Sequence, residues 1–182
     1  IGKELANRAV AFGMKVYGKD IVQIDGLPIE YFTDLEAMIP KADVISLHLP
    51  SNPQTRGLFN EKMFGLMKNG SLLINTSRAD IIDEAAMVKA IKEKGIRVAL
   101  DVFSGEPEAK QCEISSELQN TENLYITHHI GASTEQAQNA VADETVKIIL
   151  HYLKTGVVLN WVNKAKVPGV HFQLNVKHWD RP

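Results

Sequence analysis

Short apolar runs at residues 15–17, 43–49, 71–76, 97–102 and 124–127 are separated by stretches at 2–12, 34–39, 61–66 and 83–94 whose apolar residues recur at helical spacing. Near-continuous apolarity within such runs marks strands covered on both faces. Steady strand–helix–strand order predicts a parallel sheet with helices on either side. The expected fold class is therefore α/β, a doubly wound parallel sheet. Sheets of this kind bind ligands beyond the carboxyl ends of their strands, so the residues that follow each apolar run are where chemistry is sought.

Composition narrows the function. The chain has 182 residues, 45% of them hydrophobic, enough for one ordinary domain and a little more. A formal charge of -2 and the lack of any Lys/Arg block give no reason to expect nucleic acid or an anionic membrane surface as a partner. No apolar run approaches the roughly 18 residues that a membrane span needs. The single cysteine, Cys112, cannot form an internal disulfide, which points to a reducing compartment, the cytoplasm by default. No metal-ligand spacing stands out.

Three segments are expected. Residues 1–156 form the α/β domain, closed by a long helix that starts where Ser133 and Gln136 have capping-box spacing and that Gly156 ends. Residues 157–169 read as a linker. Residues 170–182 alternate polar and apolar side chains with period two, so a half-buried strand opens a second unit. Beginning at Ile1 without a methionine and stopping just after that strand, the chain reads as a piece of a longer polypeptide.

At the strand ends lie the candidate residues. Gly2 opens a helix and Asp20 follows a short strand 18 residues later, the spacing of a dinucleotide-binding turn and its ribose-binding acid, although a helix-start glycine and a turn aspartate would look the same. Arg78 follows the run at 71–76, where a planar guanidinium can grip a carboxylate through two parallel hydrogen bonds; an exposed loop arginine is the plain alternative. Asp101 and Glu106 follow the next run as either solvated turn acids or partners of an imidazole, and Glu106 precedes a proline. Two histidines, His128 and His129, end the last run, where an imidazole can move a proton at neutral pH. Any lone histidine is more often structural; the case rests on Arg, Glu and His each ending a separate strand.

Together these residues resemble the D-2-hydroxyacid dehydrogenase family, and most closely its D-3-phosphoglycerate dehydrogenase branch. The matching text is Ile1-Gly2 with Asp20, Ser46-Leu-His-Leu-Pro50, Ile74-Asn-Thr-Ser-Arg78, Asp101-Val-Phe-Ser-Gly-Glu-Pro107 and His129-Ile-Gly-Ala-Ser-Thr134. The resemblance implies a Rossmann-like NAD-binding domain whose first strand is missing, followed by the opening strand of an ACT-like α+β regulatory domain. It makes Arg78 the grip on the substrate carboxylate, His129 the acid/base and Glu106 its carboxylate partner, with His128 standing where the family commonly has proline. It places Ile1 and Gly2 by the pyrophosphate of NAD and Asp20 on the ribose, favouring NAD over NADP. Leu49, Pro50, Thr76, Ser77 and Arg78 line the cofactor cleft, Asp101 holds the nicotinamide carboxamide, and His129, Ile130, Gly131 and Ala132 lie beside the ring. The implied reaction is oxidation of 3-phosphoglycerate to 3-phosphohydroxypyruvate, the first step of L-serine biosynthesis, in a homodimer or homotetramer with serine as an effector at the ACT domain. Another D-2-hydroxyacid dehydrogenase or hydroxypyruvate reductase, or a co-repressor of the same fold that senses NAD without catalysis, are the alternatives.

Overall fold

The computed structural model describes residues 1–23, 26–105 and 116–161. It divides into two compact units, residues 1–134 and 135–182. In the first, helix α1 (Gly2–Ala11) leads to a pair of two-residue parallel strands, β1 (Tyr17–Gly18) and β2 (Glu30–Tyr31). Helix α2 (Leu35–Met38) and a 3-10 turn (Ile39–Lys41) follow, and then strands β3 (Val44–Leu47), β4 (Leu72–Asn75), β5 (Arg97–Leu100) and β6 (Leu124–Ile126). These four form one parallel sheet in the order β3-β4-β5-β6. Helices α3 (Glu61–Leu66), α4 (Glu84–Lys94) and α5 (Ser116–Gln119) occupy the crossovers.

The core collects on one face of this sheet. Ile45, Leu47, Leu73, Val98 and Leu100 join a single buried cluster with Met63 and Phe64 of α3, Met87, Val88 and Ile91 of α4, and Phe59. Phe59 and Phe64 meet edge to face with ring centroids 5.0 Å apart, an arrangement that adds to their burial. Each of these large side chains stabilises the fold by about 2–3 kcal/mol relative to exposure. Capping fixes the helix ends. Asn60 accepts from the backbone N–H of Lys62 and Met63 at the start of α3, and Asp83 from that of Ala86 at the start of α4; each cap contributes about 1 kcal/mol. Gly95, at φ +62°, turns the chain out of α4, and the Lys94 ammonium beside it donates to the carbonyls of Phe64, Gly65 and Met67. That cation satisfies carbonyls which the end of α3 leaves open.

Sequence and structure differ in several places. Burial along β3, β4 and β5 has period two: Ile45, Leu73 and Val98 are buried, whereas Val44 is 48% exposed and Ile74 and Ala99 are only half covered. The expectation of strands covered on both faces is corrected, among the described residues, to one deeply buried face. The first strand lies at Tyr17–Gly18 rather than at 15–17, and β2 and α5 were not anticipated. The long helix α6 (Glu135–Thr155), in the second unit, starts two residues after Ser133, and Gly156 at φ +71° ends it as expected. Among the described residues β1 pairs with β2 and β3 with β4, so the strands form two separate parallel sheets, one of two strands and one of four. The expected ACT-like strand at 170–182 and most of the linker at 157–169 lie outside the described residues. Among the described residues no helix is long and apolar enough to cross a membrane.

Candidate functional site

Strand register assembles the site. Leu47 pairs with Asn75, Asn75 with Leu100, and Leu100 with Ile126, so the last residues of four parallel strands form one row. The residues that follow that row emerge along one edge. They are His48, Leu49 and Pro50 after β3, Thr76, Ser77 and Arg78 after β4, Asp101 after β5, and Thr127, His128 and His129 after β6. Neighbouring strands lie about 4.8 Å apart, which puts the β4 and β6 ends about 10 Å from each other with Asp101 between them. Arg78 and His129, predicted from separate motifs, are therefore brought to the same edge; Glu106 lies outside the described residues.

Arg78 is presented by a buried asparagine. Asn75, at 0% exposure, accepts from the Ser77 backbone N–H at 3.0 Å and the Ser77 hydroxyl at 2.7 Å, and its amide donates to the Arg78 carbonyl at 2.8 Å. A buried amide so fully bonded fixes the turn that carries residues 76–78. The guanidinium itself is exposed and donates from Nη1 to the Ser77 carbonyl at 2.6 Å. From the other side, the loop after β3 is tied to the same turn: Asp80 accepts from the Ser51 hydroxyl and from Arg56 Nε, and the Gly57 N–H donates to the Asp80 carbonyl. Leu49 and Pro50 are thereby held next to the Arg78 segment. Sequence reasoning did not single out Asn75; an amide ending an apolar run was the available signal.

The histidine loop is held by Asp101. Its Oδ1 accepts from the Thr127 hydroxyl at 2.6 Å and the Ile130 N–H at 2.9 Å, and its Oδ2 from the Gly131 N–H at 2.8 Å. Between those contacts His129 takes a left-handed backbone conformation, φ +58°, uncommon for a residue with a side chain. Both histidines are exposed. Burial pulls the Asp101 pKa up, but the Thr127 hydroxyl, the two backbone N–H groups and the nearby His129 charge outweigh it, and the carboxyl is held below its ordinary value. A carboxyl whose folded pKa is depressed adds stability at pH values above its unfolded pKa, and that contribution is lost as pH falls through the folded value. Asp101→Asn is thus expected to be less stable than wild type at pH 7, with the gap closing below about pH 4; chemical denaturation at a series of pH values measures it, and a gap independent of pH refutes the assignment.

At the cofactor end, α1 begins at Gly2 with Ile1 as its N-cap and no side-chain cap hydrogen bond, and the first-turn N–H groups of a helix suit an anion. A Cβ built on Gly2 would stand 3.4 Å from the His48 ring. Helix start and β3 end therefore touch. His48 also shares a 3.0 Å hydrogen bond with Ser46 and is held below its usual pKa chiefly by burial. Asp20, exposed after β1, accepts from the Ile21 and Val22 N–H groups through Oδ1. These features suit a pyrophosphate at the helix start and an acidic ribose contact. A depression of about 460 Å³ lined by Gly95, Thr121 and Asn123 sits at the opposite, amino-terminal edge of the sheet, away from this chemistry. No cluster of metal-ligating side chains occurs among the described residues.

Comparison with known proteins agrees with this arrangement. Residues 1–131 match the NAD binding domain of D-isomer specific 2-hydroxyacid dehydrogenases. A hydroxypyruvate reductase from Thermotoga maritima is 40% identical over 155 residues, 84% of this chain and 50% of that protein. D-3-phosphoglycerate dehydrogenase of Escherichia coli is 37% identical over 171 residues, 92% of this chain and 41% of that protein. Among solved structures, a D-lactate dehydrogenase from Sporolactobacillus superposes with a TM-score of 0.80 at 32% identity, over 87% of this chain and 51% of the other. A D-lactate dehydrogenase from Aquifex aeolicus, complexed with NAD and lactic acid, gives a TM-score of 0.74 at 32% identity, over 85% and 50%. The chain spans half the length or less of the curated relatives it matches. With the register-aligned strand ends, the helix start at Gly2 and the matched residues 1–131, the chain belongs to the D-isomer specific 2-hydroxyacid dehydrogenase family, as a Rossmann-like NAD-binding domain.

Proposed function

We propose that this chain is the NAD-binding part of a D-3-phosphoglycerate dehydrogenase that oxidises 3-phosphoglycerate to 3-phosphohydroxypyruvate at the entry to L-serine biosynthesis. The observation that carries the reading is the shared strand-end row, which sets Arg78 and His129 about two strand spacings apart at one edge. Arg78 grips the substrate carboxylate with its forked donors. His129 takes the C2 hydroxyl proton as the C2–H bond gives up its hydride, and the carboxylate of Glu106 stabilises the imidazolium so formed. When bound, NAD supplies the two-electron hydride acceptor. Ile1, Gly2 and Asp20 hold its pyrophosphate and ribose, and the Asp20 carboxylate disfavours a 2′-phosphate in the same place. Leu49, Pro50, Thr76, Ser77 and residues 130–132 line its cleft, and Asp101 faces the carboxamide.

The phosphoglycerate branch is favoured by the extent of similarity. The Escherichia coli enzyme aligns with 92% of the chain, more residues than the 1–156 segment contains, whereas the Thermotoga hydroxypyruvate reductase aligns with 84%. The same proposal includes an ACT-like domain after α6 with serine as effector, and assembly as a homodimer or homotetramer in the cytoplasm. Hydroxypyruvate reductase remains the second reading, on its 40% identity. The deciding experiment assays the full-length polypeptide with 3-phosphoglycerate, D-glycerate and D-lactate plus NAD, and with hydroxypyruvate plus NADH. A kcat/KM at least tenfold higher (about 1.4 kcal/mol) for 3-phosphoglycerate than for the other hydroxy acids is expected. Preference for hydroxypyruvate moves the protein to the reductases, and NAD binding without turnover of any of them favours the co-repressor reading.

A further inference from the structure

We propose that Asp101 is a positioning residue for the His129 loop, holding residue 129 in its left-handed turn through the Thr127 hydroxyl and the backbone N–H groups of residues 130 and 131. The inference rests on the reading of His129 as the acid/base. It adds to the carboxamide role a function that the cofactor does not share.

The geometry leaves little freedom. Asp101 is buried, and three donors from the β6 loop converge on its two oxygens, at 2.6 Å from Thr127 Oγ1, 2.9 Å from Ile130 N and 2.8 Å from Gly131 N. They flank His129 on both sides in sequence. A residue with a side chain does not keep φ +58° without surrounding contacts that impose it, and these contacts bracket the strained position. The Asp101 backbone is pinned as well, since its N–H donates to the Asn75 carbonyl at 2.9 Å, and Thr127 N–H donates to the Leu100 carbonyl at 2.9 Å. The clamp therefore ties the end of β6 to β5, and β5 in turn to the β4 end that carries the Arg78 turn. Residue 131 must be glycine for the clamp to close: a Cβ there would stand 2.8 Å from Asp101 Oδ2. A carboxylate offers about four acceptor directions, so three loop donors leave one for a cofactor amide, and both roles fit on one side chain.

Two variants disturb the clamp, and the first separates it from cofactor binding. Thr127→Val removes one donor with almost no change in volume. Gly131→Ala sets a methyl group 2.8 Å from Oδ2, so that the carboxylate or the loop has to shift. In the full-length enzyme, Thr127→Val is expected to lower kcat about tenfold and Gly131→Ala up to about a hundredfold, as misplacement of a reacting group by about 1 Å does. For Thr127→Val the dissociation constant for NAD is expected to stay within about twofold, as the one remaining acceptor direction is untouched; Gly131→Ala, at a position that also lines the cofactor cleft, serves only as the stronger disturbance of the clamp. The imidazole Cε1–H resonance of His129, assigned by its loss in His129→Gln, is expected to shift or broaden in both variants without cofactor. An unchanged His129 resonance in Thr127→Val overturns the proposal, and so does a fall in NAD affinity that accounts for the whole loss of kcat. Because the resonance is read without turnover, it judges the clamp separately from the acid/base assignment, which fails instead if His129→Gln retains wild-type turnover.

Discussion

His129→Gln in the full-length enzyme is expected to lower kcat by about 10²–10⁴-fold, the usual contribution of a positioned general base, with NAD affinity close to wild type. His128→Gln is expected to stay within about threefold of wild type, since nothing places it in the catalytic machinery. The two histidines are adjacent, exposed and chemically alike, so the discrimination comes from the backbone. His129 is the one that sits at φ +58° between the Thr127 and Ile130 contacts to Asp101, and its charge is the one that Asp101 feels. Steady-state kinetics over pH 6–9 measure the pair. A collapse of kcat in His128→Gln with His129→Gln near normal would exchange their roles and remove the left-handed turn from the argument.

What was legible in the sequence follows from which signals are local. The four strands of the main sheet announced themselves as apolar runs, and the resemblance in their trailing motifs placed Arg78, Asp101 and His129 at strand ends, where they are found. Gly156 ended its helix as expected because a left-handed helix stop is a one-residue property. The elements missed are those without a period to read: β2 is two residues and α5 four, too short for either hydrophobic repeat. One-sided burial of the sheet was not legible either. Ile74 and Ala99 are as apolar as Leu73 and Val98, and only the placement of the helices decides which face is sealed.

Non-local roles were the hardest to see. Asp101 could be recognised as a strand-tip acid, but its engagement by Thr127, Ile130 and Gly131 depends on β6 lying next to β5, and strand order is not written in any single run. The same holds for Asn75. It ends the motif Ile74-Asn-Thr-Ser-Arg78 as an unremarkable polar residue, and its importance arises because the chain turns back to offer it Ser77 and the Arg78 carbonyl. In both cases a polar side chain at the end of a buried strand, Asn75 closing β4 and Asp101 just past β5, organises the loop that carries a functional residue.

That relation sets the second large effect. Arg78→Lys is expected to reduce kcat/KM for the hydroxy acid by roughly ten- to a hundredfold, equivalent to loss of one charge-assisted hydrogen bond of about 1.5–3 kcal/mol, because an ammonium cannot reproduce the parallel two-donor grip on a carboxylate. Its stability is expected to match wild type, since the guanidinium is exposed and its hydrogen bond among the described residues goes to the neighbouring Ser77 carbonyl. Asn75→Ala should show the opposite balance. It leaves the Ser77 N–H, the Ser77 hydroxyl and the Arg78 carbonyl without their buried partner, costing about 1–3 kcal/mol of folding stability for unsatisfied polar groups, and it lowers kcat/KM only through the loosened Arg78 turn. Thermal denaturation alongside kinetics separates the two. Arg78→Lys with wild-type turnover removes Arg78 from the substrate grip. Asn75→Ala with unchanged stability means the turn is held by the Ser51–Asp80–Arg56 ties from the neighbouring loop instead, and the weight of positioning Arg78 then passes from the end of β4 to the loop after β3.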